Sequence, residues 1–271
     1  MGAAVTTGRL LAIAWEWEPS IVVGCALLLA GYVAVTRLRW PLRAALFALG
    51  VVVLLLTLVG PLDFLGDDYL FSAHMVEHLI LVLVVPPLLI AGLPRDPVER
   101  LLRWAPAAAC ERCLRRPVVA WILGVGTMWA WHAPPLYNAA LADERIHIIE
   151  HLTMLVTGTI FFWPLLAPTV GSRIAHGAAL AYVFTAAAAN MLLGILLTFS
   201  TPGAYPHYLR SSDGTGIFIL IRKGWGLDGA ADLQLGGLAM WVLGSLVFLG
   251  LLMMVYARWY IADAPDTETS S

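Results

Sequence analysis

Charge is what this chain has least of. Only 13% of its 271 residues are charged, whereas 60% are hydrophobic. A soluble domain carries about 25% charged and about 45–50% apolar residues. The shortage excludes a disordered chain, a nucleic-acid binder and an ordinary cytosolic enzyme. The formal net charge of −2 adds nothing; where the charges fall matters more. Cysteine is scarce too, and three poorly spaced residues make no disulfide framework. Residues 1–19 lack the apolar core of a signal peptide, placing Trp15, Glu16, Trp17 and Glu18 where one would lie. They read instead as an amphipathic segment at the outer interface. With a mean hydropathy of +0.82, the chain lives in a membrane.

Apolar runs near membrane length occur at 20–36, 42–60, 70–93, 117–134, 146–167, 174–200 and 234–258. None shows the period-two alternation of a barrel strand, so they are helices, whose backbone groups are satisfied within lipid. The expectation is an all-α polytopic protein with about seven transmembrane helices in one domain, residues 20–258, followed by a tail at 259–271.

Arginine and lysine set the orientation. One set of connections carries Arg37, Arg39, Arg43, Arg95, Arg100, Arg103, Arg112, Arg115, Arg116, Arg173 and Arg258. The other carries Arg9, Arg145, Arg210, Arg222 and Lys223, with Asp63, Asp67, Asp68, Asp143 and Glu144. The imbalance puts the amino terminus outside and the carboxyl terminus inside. Trp40, Trp129, Trp131, Trp163 and Trp259 fall near run ends, as an interfacial belt would.

In that topology five of the seven histidines share one depth at the outer face. The third helix opens with His74-Met75-Val76-Glu77-His78 and the fifth with His147-Ile148-Ile149-Glu150-His151; the fourth ends in Trp131-His132-Ala133-Pro134-Pro135. Residues three and four apart share a helix face, so His74, Glu77 and His78 make one polar stripe and His147, Glu150 and His151 another. One histidine near a helix end needs nothing more than snorkelling to the interface. Five at one level, with the same five-residue pattern twice, point to a metal site, because ionisable groups in a span are costly and mark ligands or pathways. Pro61-Leu62 and Pro135-Leu136 precede the two patterns by about a dozen residues, which suggests a duplicated hairpin whose histidine pairs face each other. His207 and His176 are read as structural.

Imidazole suits zinc, copper, iron and nickel, and thioether adds a preference for reduced copper. Met75, Met128 and Met154 lie at the histidine level and tilt the choice toward copper. Asp63, Asp67 and Asp68 give the outer mouth a negative potential that attracts cations. Zinc remains open, since HxxEH is also the inverted zincin motif, with Glu77 or Glu150 as general base of a membrane hydrolase. Haem held by facing histidines is a further alternative, and hydrogen-bonded helix glue a purely structural one. Cys110-Glu111-Arg112-Cys113 lies in an inward loop where thiols stay reduced, and no metal role is expected there. Asp232, opening the last helix at the same level, reads as a helix cap or as an accessory to the site. Asn190 reads as a helix–helix bond or a group that orients a ligand histidine.

The order of these motifs resembles one family. HMVEHL with Pro86-Pro87 below it, WHAPPLYNAAL, HIIEHL followed by Phe162-Trp163-Pro164, and Asp232 with Gly236-Gly237 before Trp241 look like the cytochrome c oxidase assembly factor CtaG family, of the caa3 type. The pattern departs in the last motif, where Leu233 stands between Asp232 and Gln234. The resemblance implies a multi-pass protein of the bacterial plasma membrane needed for making cytochrome c oxidase. Copper handling would be its role, with an oxidase subunit or a copper chaperone as partner on the outer side. The site residues rest on the spacing argument: His74, His78, His132, His147 and His151 as ligands, with Glu77, Glu150, Met75, Met128, Met154 and Asp232 as accessories.

Overall fold

The computed structural model describes residues 5–209 and 216–263. Arg210 and the end of the tail therefore lie outside the described residues. The described chain is all-helical, with no strand. In chain order the helices are α1 (Thr7–Ile13), α2 (Pro19–Thr36), α3 (Pro41–Val59), α4 (Pro61–Asp68), α5 (Phe71–Gly92), α6 (Arg95–Leu101) and α7 (Ala105–Leu114). After them come α8 (Pro117–Trp131), α9 (Pro134–Ala142), α10 (Glu144–Leu166), α11 (His176–Thr198) and α12 (Gly229–Asp263). Proline opens α2, α3, α4, α8 and α9, where its missing N–H is one the helix would leave unpaired anyway.

Among the described residues six helices are long and apolar enough to cross a membrane: α2, α3, α5, α10, α11 and α12. The fourth expected span, α8, has 15 residues. At about 1.5 Å per residue it reaches about 22 Å, short of a hydrocarbon core of about 30 Å. It stops because Pro134 and Pro135 follow closely: they bias Ala133 to an extended backbone and start α9 in a new direction. The last span opens at Gly229, five residues before the apolar run, because Asp228 caps it by accepting from the Ala230 and Ala231 amides at 3.0 and 2.8 Å.

Helix α5 is the central element, packed against α3, α4, α10 and α12. Its middle, Ile80–Val84, widens into a π-type turn. The cause is local: Pro86 and Pro87 bring no N–H to the carbonyls one turn back. Helix α10 packs on α5, α8 and α9, and α11 packs on α8 and α12. The outward faces stay apolar, with Leu27, Val33, Leu56, Val156, Phe184, Leu196 and Leu246 exposed. So wide an exposed apolar surface fits lipid, not water. Before α2, α1 lays Leu10 and the following Ala14, both fully buried, against Tyr69, Leu70, Ala73, Phe218 and Ile221.

The two ends of the bundle differ in charge. Arg43 donates to the carbonyls of Ala91 and Leu93, Arg173 to Ala167 and Arg258 to Leu165, so these arginines gather where α5 and α10 finish. His74, His78, His132, His147 and His151 lie at the opposite end. Leu165 lies 18 residues after His147 along α10, which is about 27 Å of helix.

Candidate metal centre

Three helix starts and one helix end meet at the histidine end. On α5 the turn spacing stacks His74, Glu77 and His78, all with no exposed surface. Helix α10 brings Glu150, equally buried, between His147 and His151, which are slightly exposed. The rings confirm the convergence: His74 lies 5.4 Å from His147 and 5.9 Å from His151 by centroids, and His78 lies 5.6 Å from His151. Above them α4 carries Asp63 and Asp67, one turn apart.

The acid–imidazole pairings make no hydrogen bonds. Asp67 Oδ1 lies 3.5 Å from His147 Nε2 and 3.8 Å from His74 Nδ1. Glu150 lies 3.5 Å from His78 Nε2 through Oε1 and 3.9 Å from His74 Nε2 through Oε2. Glu77 Oε1 is 3.9 Å from His151 Nε2. Two ligands on one tetrahedral ion, each about 2.1 Å from it, stand about 3.4 Å apart. These separations match ligands with an ion between them.

Ten buried side-chain atoms here have no hydrogen-bond partner: Asp67 Oδ1, both ring nitrogens of His74, both oxygens of Glu77 and of Glu150, and Nε2 of His78, His147 and His151. An unpaired buried polar group costs about 1–3 kcal/mol, and more if charged. A bound cation removes that cost. Within this cluster three groups hold donor atoms all within 4.8 Å of one another: His74 with His78 and His151, Asp67 with His74 and His147, and Asp63 with Glu77 and His151. On α4, outside the spans, burial pushes the Asp63 carboxyl up from its ordinary value. Burial raises Asp67 as well, and the neighbouring Asp63 and Asp68 add to it.

His132 sits behind this cluster and belongs to none of the three groups. Its Nδ1 lies 2.7 Å from the Met128 carbonyl, which only accepts, so Nδ1–H donates. Its Nε2 then carries a lone pair and faces His78 Nδ1 at 3.5 Å. That arrangement keeps the proton of His78 on Nδ1 and turns its Nε2 toward the cluster. The structure thus brings His132 to the site as the group that sets the tautomer of His78. Tyr205 holds it there, donating to the His132 carbonyl at 2.9 Å.

The methionines sit in apolar surroundings. Met75, Met128 and Met154 are buried in the hydrophobic core, Met75 where a side chain on Gly236 would touch it, and Met128 lining a cavity with Val82, Asn190 and Phe248. Asp232 does cap a helix, but not its own. Its carboxylate accepts from the Phe71 and Ser72 amides at 2.8 and 3.0 Å, which fixes the first turn of α5 just before His74. Gly236 permits the close crossing, since a Cβ there would lie 2.5 Å from the Phe71 ring. Asn190 donates to the Met240 carbonyl at 2.9 Å, a helix–helix bond remote from the histidines. Cys110 and Cys113 are exposed on α7 and Cys25 is buried in α2, all away from the centre.

Two acids and two tyrosines were not among the residues expected as ligands or accessories. Asp63 and Asp67 read in sequence as an acidic loop; their spacing of four within Pro61–Asp68 was the available signal that both share one helical face. Tyr137 sets its ring edge-on to His74 at 5.2 Å, and its hydroxyl pairs at 2.9 Å with that of Tyr208, which donates to the Gly66 carbonyl. Nothing in their spacing announced them.

No solved structure matches this chain. An uncharacterized protein of Mycobacterium leprae is 25% identical over 92% of the chain, and one of Mycobacterium bovis is 24% identical over 95%. The matches take in 40% and 41% of those proteins, so the chain spans about two fifths of the length of these curated relatives. The family model described as cytochrome c oxidase caa3 assembly factor matches residues 26–262, which takes in α3 to α11 whole and nearly all of α12, with every histidine of the cluster: the chain belongs to the Caa3_CtaG family.

Proposed function

We propose that the chain acts in the bacterial plasma membrane as an assembly factor for cytochrome c oxidase, handling copper at the histidine centre on the outer side. In this reading seven helices cross the bilayer, α8 being the short fourth crossing, with residues 1–19 outside and 259–271 inside. Support comes from the course of α8, which starts at Arg116 beside the arginine end and finishes at His132 beside the histidine end. The excess of arginine at one end then puts that end in the cytoplasm.

The observation that carries the function is the cluster of ten unpaired buried donors in a member of an oxidase-assembly family. Its donors are imidazole and carboxylate, and at such a site copper(II) binds more tightly than the other divalent first-row metals. Four carboxylates among the imidazoles suit a bare cation better than haem. The ion is received from a copper chaperone, or passed to an oxidase subunit, on the outer side.

The test is made in cells lacking the chain and complemented with His74→Ala, His147→Ala. Oxidase subunits should be made and inserted while the copper content and activity of the oxidase fall to the level of the deletion. A copper-replete oxidase in that strain would overturn the reading.

A further inference from the structure

Two of the three donor groups share no residue. Asp67, His74 and His147 form one, at the mouth; Asp63, Glu77 and His151 form the other. The third, His74 with His78 and His151, borrows one member from each. From this arrangement we infer that the centre holds two metal ions at once, side by side, in the two separate triads; the inference rests on the copper-handling reading above.

Charge supports two. Asp63, Asp67, Glu77 and Glu150 crowd the cluster, and the imidazoles that bind metal are neutral. One divalent ion would leave two of these carboxylates uncompensated in a largely buried site, which is costly. Two divalent ions balance four carboxylates. His78, backed by His132, is left over by both triads and completes the three-imidazole seat between them.

The spacing makes the pair measurable. The His74 and His151 rings lie 5.9 Å apart by centroids; an ion about 2.1 Å from a ring nitrogen sits about 3.3 Å from that ring's centre, which puts the two ions no more than about 12.5 Å apart. Two copper(II) ions at that distance couple magnetically.

Detergent-purified protein loaded with copper(II) should bind two ions per chain and give a spin-coupled resonance spectrum. Asp67→Ala and Asp63→Ala each remove a ligand from one triad alone, so each variant should hold one ion with an uncoupled spectrum. His78→Ala, outside both triads, should keep two ions. Thermal unfolding of each variant checks that the fold is kept, and the wild-type spectrum stands without any variant. One ion in the wild-type chain, lost in His78→Ala and indifferent to both aspartates, would overturn the pair and leave copper handling intact. No ion at all would overturn both.

Discussion

Where the proton of His78 sits is decided one residue further out. His132 donates through Nδ1 to Met128 and presents Nε2 to His78 Nδ1. Losing such a partner typically costs 10–100-fold in metal affinity. His132→Ala should therefore weaken copper binding to the centre by no more than about that factor, whereas His74→Ala, which removes a donor of the mouth triad, should abolish binding there. A competition titration with a chelator of known affinity separates the two; equal losses would make His132 a direct ligand. From the sequence five histidines were legible as one cluster, because HxxEH fixes a face. The orientation of the His132 ring was not, since depth in the membrane says nothing about which ring nitrogen faces what. Asp232 was legible as a cap, but which helix it caps depends on a contact across about 160 residues.

Among the elements, the two short helices before the histidine patterns carry the difference between the halves. Pro61 opens α4 and Pro134 opens α9, and each is followed by a helix bearing HxxEH. The duplicated pattern was readable in the sequence for that reason. The halves diverge on the short helices: α4 presents Asp63 and Asp67, α9 presents Tyr137 and Ala140. Topology already explains an acidic outer segment, so the spacing of four between Asp63 and Asp67 was the one signal that set these aspartates on a shared face. Helix α4 reaches the site because Gly66 has no side chain; a Cβ there would lie 3.1 Å from the His74 backbone and 3.2 Å from Glu77 Oε2. Gly66→Ala favours the helix itself by about 1 kcal/mol. It should nevertheless lower copper affinity about tenfold by lifting both aspartates away, at the low end of outer-shell effects. Gly171→Ala, with open space around it, is the control and should change nothing. Unchanged affinity in Gly66→Ala would mean that α4 is not part of the centre.

On the scale of the whole molecule, composition and periodicity gave the membrane and the helices. Six of the expected spans stand as helices of crossing length. The fourth ends before Pro134 and Pro135, as the sequence marked; what the apolar run did not show is that the helix left is only 15 residues long. The histidine end gathers the buried ionisable groups, and the arginine end the cations that pair with carbonyls. A molecule so divided keeps its expensive polar groups together at one end, where a bound ion would compensate them. Metal analysis of detergent-purified protein tests that claim most directly, comparing the wild-type chain with His74→Ala, His147→Ala after copper loading and desalting. The account predicts copper retained by the wild-type chain through nitrogen and oxygen ligands, and lost from the double variant; copper retained equally by both would contradict it.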